Sequence, residues 1–232
     1  MNALGGRAMS VTTALATGIV VVTLAVLPFL TPQWVALEQE RSNASAWTGY
    51  TTQELGEASG AILSDLVVGP PTFDVEVRGA PVLDARERGH MRDVRTVFVG
   101  LWILAAASVV VLAAANRRPD RLATWRAIRR GATILAIGVA VLGGVALVAF
   151  DALFEAFHEV LFPAGSYDFD PATERLVQLF PFQFWQETAI IVGALIIVAS
   201  LIVAAVAGRR MRQGAPRKVA TTDLLAARGG SA

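Results

Sequence analysis

The sequence predicts an all-α integral membrane protein, with four transmembrane helices and structured extracytoplasmic loops. Three observations predict it. Four long stretches, at about 11–30, 94–115, 132–150 and 188–207, contain no acidic residue, and only Arg95, at an end, is basic. The 232 residues are 54% hydrophobic and 17% charged, with a mean hydropathy of +0.54, whereas an ordinary soluble chain is about 25% charged. The charges are also sorted by loop. A run of roughly 20 apolar residues spans the hydrocarbon core as a helix, because in lipid each backbone polar group must find a partner within its own segment. The alternation of a membrane β-barrel is missing.

The first stretch reads as a retained helix rather than a cleaved signal peptide. It ends Leu27-Pro28-Phe29-Leu30-Thr31-Pro32-Gln33, which is not the small-x-small pattern of a cleavage site. The loop between the second and third stretches carries Arg117, Arg118, Arg121, Arg126, Arg129 and Arg130 against Asp120 alone. The segment after Gly208 carries Arg209, Arg210, Arg212, Arg217, Lys218 and Arg228 against Asp223. Lys/Arg bias places both in the cytoplasm. The first loop (31–93, ten acidic and five basic residues) and the last (151–187, seven acidic residues against Arg175) then lie outside. Residues 1–208 form the membrane domain, and 209–232 a basic, disordered cytoplasmic tail. Gly138, Gly143 and Gly144 would let the third span pack closely on a neighbour.

The outer loops carry folding signals. Thr51-Thr52-Gln53-Glu54 fits a capping box, and Leu55, Ile62, Leu63 and Leu66 then fall near one helix face. Gly69-Pro70-Pro71 ends that helix. Phe73, Val75 and Val77 alternate with Asp74, Glu76 and Arg78, predicting a short strand. Asp84 with Glu87 is a second capping box, opening a helix that runs into the second span. The third span continues outward to Phe162 and stops at Pro163. Asp170-Pro171 predicts a further helix start, with Leu176, Val177, Leu179 and Phe180 as its apolar side, interrupted by Pro181. Phe180, Phe182, Phe184 and Trp185 cluster at the mouth of the fourth span, as an interfacial aromatic belt or an entrance facing lipid.

There are no cysteines, which excludes disulfides, thiolate nucleophiles and Cys-based metal sites. The two histidines, His90 and His158, fall at the same depth, just above the outer interface. Glu87 and Asp93 stand three residues either side of His90; Glu155 and Asp151 precede His158 by three and seven. All can share a helix face with their histidine. Spacing alone leaves three readings open. The histidines could be polar side chains at a wet interface, a zinc site with an open position, or an acid–base pair whose carboxylates fix the tautomer. His158-Glu159 lacks the second histidine of a His-Glu-x-x-His motif, and no metal is expected.

Gly89-His90-Met91-Arg92-Asp93-Val94 resembles the His-Met-x-Asp-Val signature of a bacterial family of four-span membrane proteins, the lipoprotein intramolecular transacylases. Phe157-His158, with Phe162, Tyr167, Phe169, Leu176, Leu179-Phe180-Pro181 and Phe184-Trp185, resembles the second signature. The resemblance runs from about Tyr50 to Ala207. The chain departs from the pattern at Tyr167, where a tryptophan is expected, and at Phe182, where an acidic residue is expected.

The resemblance implies an acyltransferase of the bacterial cytoplasmic membrane, acting at its outer face on diacylglyceryl-modified lipoproteins. One ester-linked chain moves to the α-amine of the N-terminal cysteine, giving the lyso-form. It implies His90 and His158 as catalytic residues, and helical spacing offers Asp93, Glu87, Glu155 and Asp151 as their supporting carboxylates. Met91, Phe157, Phe162, Phe180, Phe184 and Trp185 are expected against substrate or lipid, with membrane phospholipid around them. No cofactor and no nucleic acid are expected. His90 is the expected base and His158 the expected acid, with the reverse equally compatible with the sequence. Two rivals remain at this point: a membrane-embedded lipid or peptide hydrolase using the same histidines, and a non-enzymatic sensor or assembly factor.

Overall fold

A computed structural model describes residues 3–213. Four long helices carry the apolar runs: α1 (Ala3–Val26), α5 (Ala85–Asn116), α6 (Arg121–Leu161) and α8 (Phe182–Gln213). Each is long and apolar enough to cross a membrane. Their large side chains face outward. Ile103, Leu104, Ile137, Leu147, Val148, Leu201 and Ile202 are all exposed, an arrangement that lipid covers and water penalises. α1 gives way to a 3-10 turn (Leu27–Leu30) at Pro28, which removes an amide donor from the helix.

The bundle is held by a few close contacts. α6 and α8 pack most extensively on each other, and α1 lies against α5 and α6. Gly131 sits where α6 crosses α1: a Cβ there would stand 2.3 Å from the Ala14 carbonyl oxygen. The three glycines singled out in the sequence play no such part within the chain, since Gly138, Gly143 and Gly144 have open space beside them.

The segment between α1 and α5 folds as a cap. α2 (Pro32–Arg41), α3 (Ala44–Thr48) and α4 (Thr52–Val67) lead into a hairpin of β1 (Glu76–Val77) and β2 (Ala80–Pro81). Both expected capping boxes form, at Thr51/Glu54 and at Asp84/Glu87. The predicted strand is shorter than its alternating pattern, though Phe73, Val75 and Val77 all point into the core. Its turn, Arg78-Gly79, has positive φ at both residues, which suits the twist of a tight hairpin. The cap core joins these side chains to Ile62, Leu83, Met91, Leu179, Phe180 and Phe184. Arg95, the one cation in the spans, donates to the Asp65 carbonyl and ties α5 to the end of α4.

Two boundaries differ from expectation. The helix expected to start at Asp170-Pro171 is the single turn α7 (Arg175–Leu179). The Asp170 carboxylate accepts from the Ala172 amide, closing a turn instead, and the Glu174 carboxylate takes the Asp170 amide at 2.5 Å. α8 remains helical to Gln213, into the basic segment expected as a tail. The rest of that tail, 214–232, lies outside the described residues.

Candidate active site

α5 and α6 bring the histidines together, across 68 residues of sequence, with ring centroids 6.1 Å apart and planes within 25°. α5 supplies His90 one turn beyond its capping box. α6 supplies His158 beyond a break: Ala149 has φ −147° and ψ 46°, so the outer segment of α6 takes a new direction. Phe150, next in sequence, packs edge-on to Phe182 at 5.3 Å. Phe154, one turn below His158, packs on it at 4.3 Å and on Phe182 at 5.8 Å. Phe182, where the resemblance leads one to expect an acidic residue, thus supports the redirected segment.

Aromatic rings wall the pair. Phe162 lies 4.8 Å from His90 and 5.5 Å from His158. Phe169 lies 5.5 Å from His90, and Tyr167 and Phe157 lie 5.1 and 5.2 Å from His158. His158 Nδ1 sits 2.7 Å from the Phe154 carbonyl oxygen. A carbonyl only accepts, so Nδ1 carries the hydrogen and Nε2 keeps the lone pair in the neutral ring. His90 is buried, and its Nδ1 has no hydrogen-bond partner among the described residues.

The four carboxylates divide. Glu87 was expected to orient His90; its two oxygens are spent on backbone amides instead. One accepts from Leu176 at 2.6 Å and the other from Asp84 at 2.7 Å. It therefore caps α5 and α7 at once, joining two segments 89 residues apart. Glu155 was expected to back His158, but it accepts from the Tyr167 hydroxyl at 3.3 Å, while a backbone carbonyl takes the histidine. Desolvation and the Glu155 carboxylate push the Tyr167 phenol up, so it stays an O–H donor. Asp151 is exposed. Asp93 is half-buried and remains electrostatically coupled to His90.

The expected lipid-facing set divides too. Met91, Phe180 and Phe184 are buried in the cap core, where protein occupies the surface a lipid would need. Phe157 and Trp185 are exposed, and Phe162 is buried against both histidines. Among the described residues, no group of three or more His, Cys, Asp or Glu side chains is arranged to hold a metal ion.

Sequence reasoning missed two residues. Phe154 was detectable, because it stands four positions before His158 on one helix. Arg86 stands four before His90, but its task appears only in three dimensions. Its guanidinium lies 4.5 Å over Phe169, donates to the Asp168 carbonyl at 2.6 Å and the Gly165 carbonyl at 3.3 Å, and pairs with Glu174. One planar fork thus holds the loop that presses Phe169 onto His90.

A family model described as lipoprotein intramolecular transacylase Lit matches residues 10–185. The fold is similar to in meso structures of the membrane-integral lipoprotein intramolecular transacylase Lit from Bacillus cereus. One superposes with a TM-score of 0.71 at 14% identity, covering 92% of this chain and 100% of that one. Two variants with a histidine replaced, by arginine or by alanine, each superpose with a TM-score of 0.70 at 16% identity. Both cover 90% of this chain, and 92% and 94% of theirs. No curated protein matches the chain by sequence.

Proposed function

The chain belongs to the lipoprotein intramolecular transacylase family, a family of acyltransferases, and on that premise we propose that it converts a diacylglyceryl lipoprotein to the lyso-form using His90 and His158. One ester-linked chain leaves the glyceryl oxygen and forms an amide with the N-terminal cysteine. The observation that carries this reading is the meeting of the two histidines, from separate helices, inside one aromatic enclosure beside the outer cap. The reaction takes place at the outer face of the bacterial cytoplasmic membrane. The arginine-rich end of the bundle and the chain termini lie on the cytoplasmic side, as the charge bias favours.

The amine is protonated at neutral pH and must lose a proton before it attacks the ester carbonyl. The ester oxygen must gain one as the C–O bond breaks. His158 has the better-defined acceptor: with Nδ1–H held by Phe154, Nε2 is free to take the ammonium proton. His90, whose Nδ1 has no partner among the described residues, keeps its hydrogen on Nε2 and donates it to the leaving glyceryl oxygen; the second proton, which the nitrogen sheds as the amide forms, restores the neutral His90 ring, and the first passes from His158 to water. This reverses the roles first assigned from sequence, and the reason is the hydrogen bond to Phe154. Amine and ester belong to one substrate molecule, so proximity supplies much of the rate, and no covalent acyl-enzyme is needed. The exposed Phe157 and Trp185 remain available to the lipoprotein's own acyl chains as they enter from the surrounding bilayer.

The test is to express the protein in a bacterium lacking its own N-acylating enzymes and to map the acyl chains of one abundant lipoprotein by tandem mass spectrometry. Wild type is expected to yield one amide-linked chain and one fewer ester. His90→Ala and His158→Ala should each lose this product by about 10²-fold or more. Loss of a whole acyl chain would instead indicate hydrolysis, and an untouched diacylglyceryl form despite membrane insertion would overturn the reading.

A further inference from the structure

At the end of the bundle away from the histidines, α6 and α8 part to leave a cavity of about 410 Å³. It is lined by Arg126 and Arg129 from the first turns of α6 and Arg212 from the last turn of α8, with Ala204 and Ala205 deeper in the bundle as its floor and Leu122 one turn nearer the start of α6. Arg129 reaches the cavity beside Gly208, its guanidinium carbon at ordinary contact distance, 3.8 Å, from where a Cβ would stand. Among the described residues, none of the three arginines makes an ion pair or a hydrogen bond. Among the described residues, no acidic side chain lines the cavity.

We propose that this cavity is a binding site for the phosphate headgroup of an anionic phospholipid, separate from the acyl-transfer site. Three guanidiniums lining one cavity supply charge-assisted donors for phosphate oxygens. The two layers of the lining argue for lipid over free phosphate. The arginines rise at the helix ends, where headgroups lie, and the aliphatic floor continues into the exposed apolar faces of the spans. A phosphate alone would use the rim and leave the floor unfilled; a phospholipid uses both. Basic clefts between spans on the cytoplasmic side suit anionic headgroups for the same reason.

The full-length protein, delipidated in a neutral detergent, would be melted alone and with phosphatidylglycerol, phosphatidylcholine or inorganic phosphate. Phosphatidylglycerol should raise the melting temperature by roughly 5 °C at saturating excess, and the other two by little. The triple variant Arg126→Gln/Arg129→Gln/Arg212→Gln should lose the rise. Arg130→Gln/Arg209→Gln/Arg210→Gln, which removes the same charge outside the cavity, should keep it. Equal loss in both variants would reduce the effect to diffuse surface charge and overturn the site. An equal rise with phosphate would overturn the lipid assignment. If the cavity variant does not fold, native mass spectrometry of the wild type decides: one retained phosphatidylglycerol supports the site, and indiscriminate retention of both lipids overturns it.

Discussion

In the bundle, Ile103, Leu104, Ile137, Val148 and Ile202 face outward, while in the cap Ile62, Leu83, Leu179 and Phe73 are sealed from solvent. The same residue types thus obey opposite rules a few turns apart along one chain. Helices in lipid gain little by hiding apolar side chains from hydrocarbon, so they rely on close backbone approach. The cap has a core of the soluble kind, with capped helix ends and ion pairs around it. The histidines sit on the seam. α5 and α6 carry them to the cap end of the bundle, and loops continuous with the cap press aromatic rings against them.

The comparison breaks most sharply at Gly131. If close approach holds the bundle, Gly131→Leu must push α1 away from α6, because even a Cβ would overlap the Ala14 carbonyl oxygen. The yield of folded protein in detergent should collapse. Gly143→Leu, on a face with open space, should leave it unchanged. Comparable yields from the two variants would remove the close-approach explanation.

Glu87 tests the seam. Glu87→Gln keeps the shape but leaves only one acceptor oxygen for the two amides of Asp84 and Leu176. An unpaired buried amide costs about 2 kcal/mol, so the melting temperature should fall, with proteolysis appearing first near α7. If Glu87 served His90 instead, stability would hold while the pH profile of acyl transfer shifted.

Arg86 makes the smaller, functional test. Arg86→Lys retains the charge but loses the fork that grips Asp168, Gly165 and Glu174 together. Acyl transfer should fall by about tenfold, the cost of roughly 1.4 kcal/mol in positioning Phe169, with the melting temperature nearly unchanged. An equal loss from Arg88→Lys, whose guanidinium reaches Leu83 and Asp74 rather than the loop, would show that the effect is not specific to the clasp.

The two regions also differ in how much of them is legible in sequence. The spans are read from composition. Both capping boxes are read from four residues each, because their partners are local. The pairing of the histidines followed from equal depth and from the family resemblance, and the site's wall was partly visible at helical spacing. Three features were not legible. The break at Ala149 has no proline or adjacent glycine to announce it. Glu87 reads as a capping residue with carboxylate to spare, because its second partner, the Leu176 amide, is 89 residues away and a backbone amide has no sequence signature. Arg86 likewise reads as a solvated first-turn side chain until the loop after α6 is folded over it.

The smallest predicted effect concerns a buried charge at the other junction, where α2 meets the start of α8. Glu38 is 1% exposed, and one of its oxygens has no hydrogen-bond partner among the described residues. Burial, then the nearby Glu187 carboxylate, raises its pKa above the ordinary 4.5, and Arg41, 3.7 Å away, opposes this only in part. A carboxyl whose folded pKa is raised favours the folded state in its protonated form. Its contribution is full below pH 4.5 and is lost as pH rises through the folded pKa. Wild type should therefore lose some thermal stability on going from pH 4.5 upward, and Glu38→Gln, which is neutral throughout, should flatten that part of the profile. Parallel wild-type and Glu38→Gln profiles would mean that Arg41 neutralises the pair completely. The junction would then behave as a surface ion pair, and the soluble-type core would end one turn short of α8.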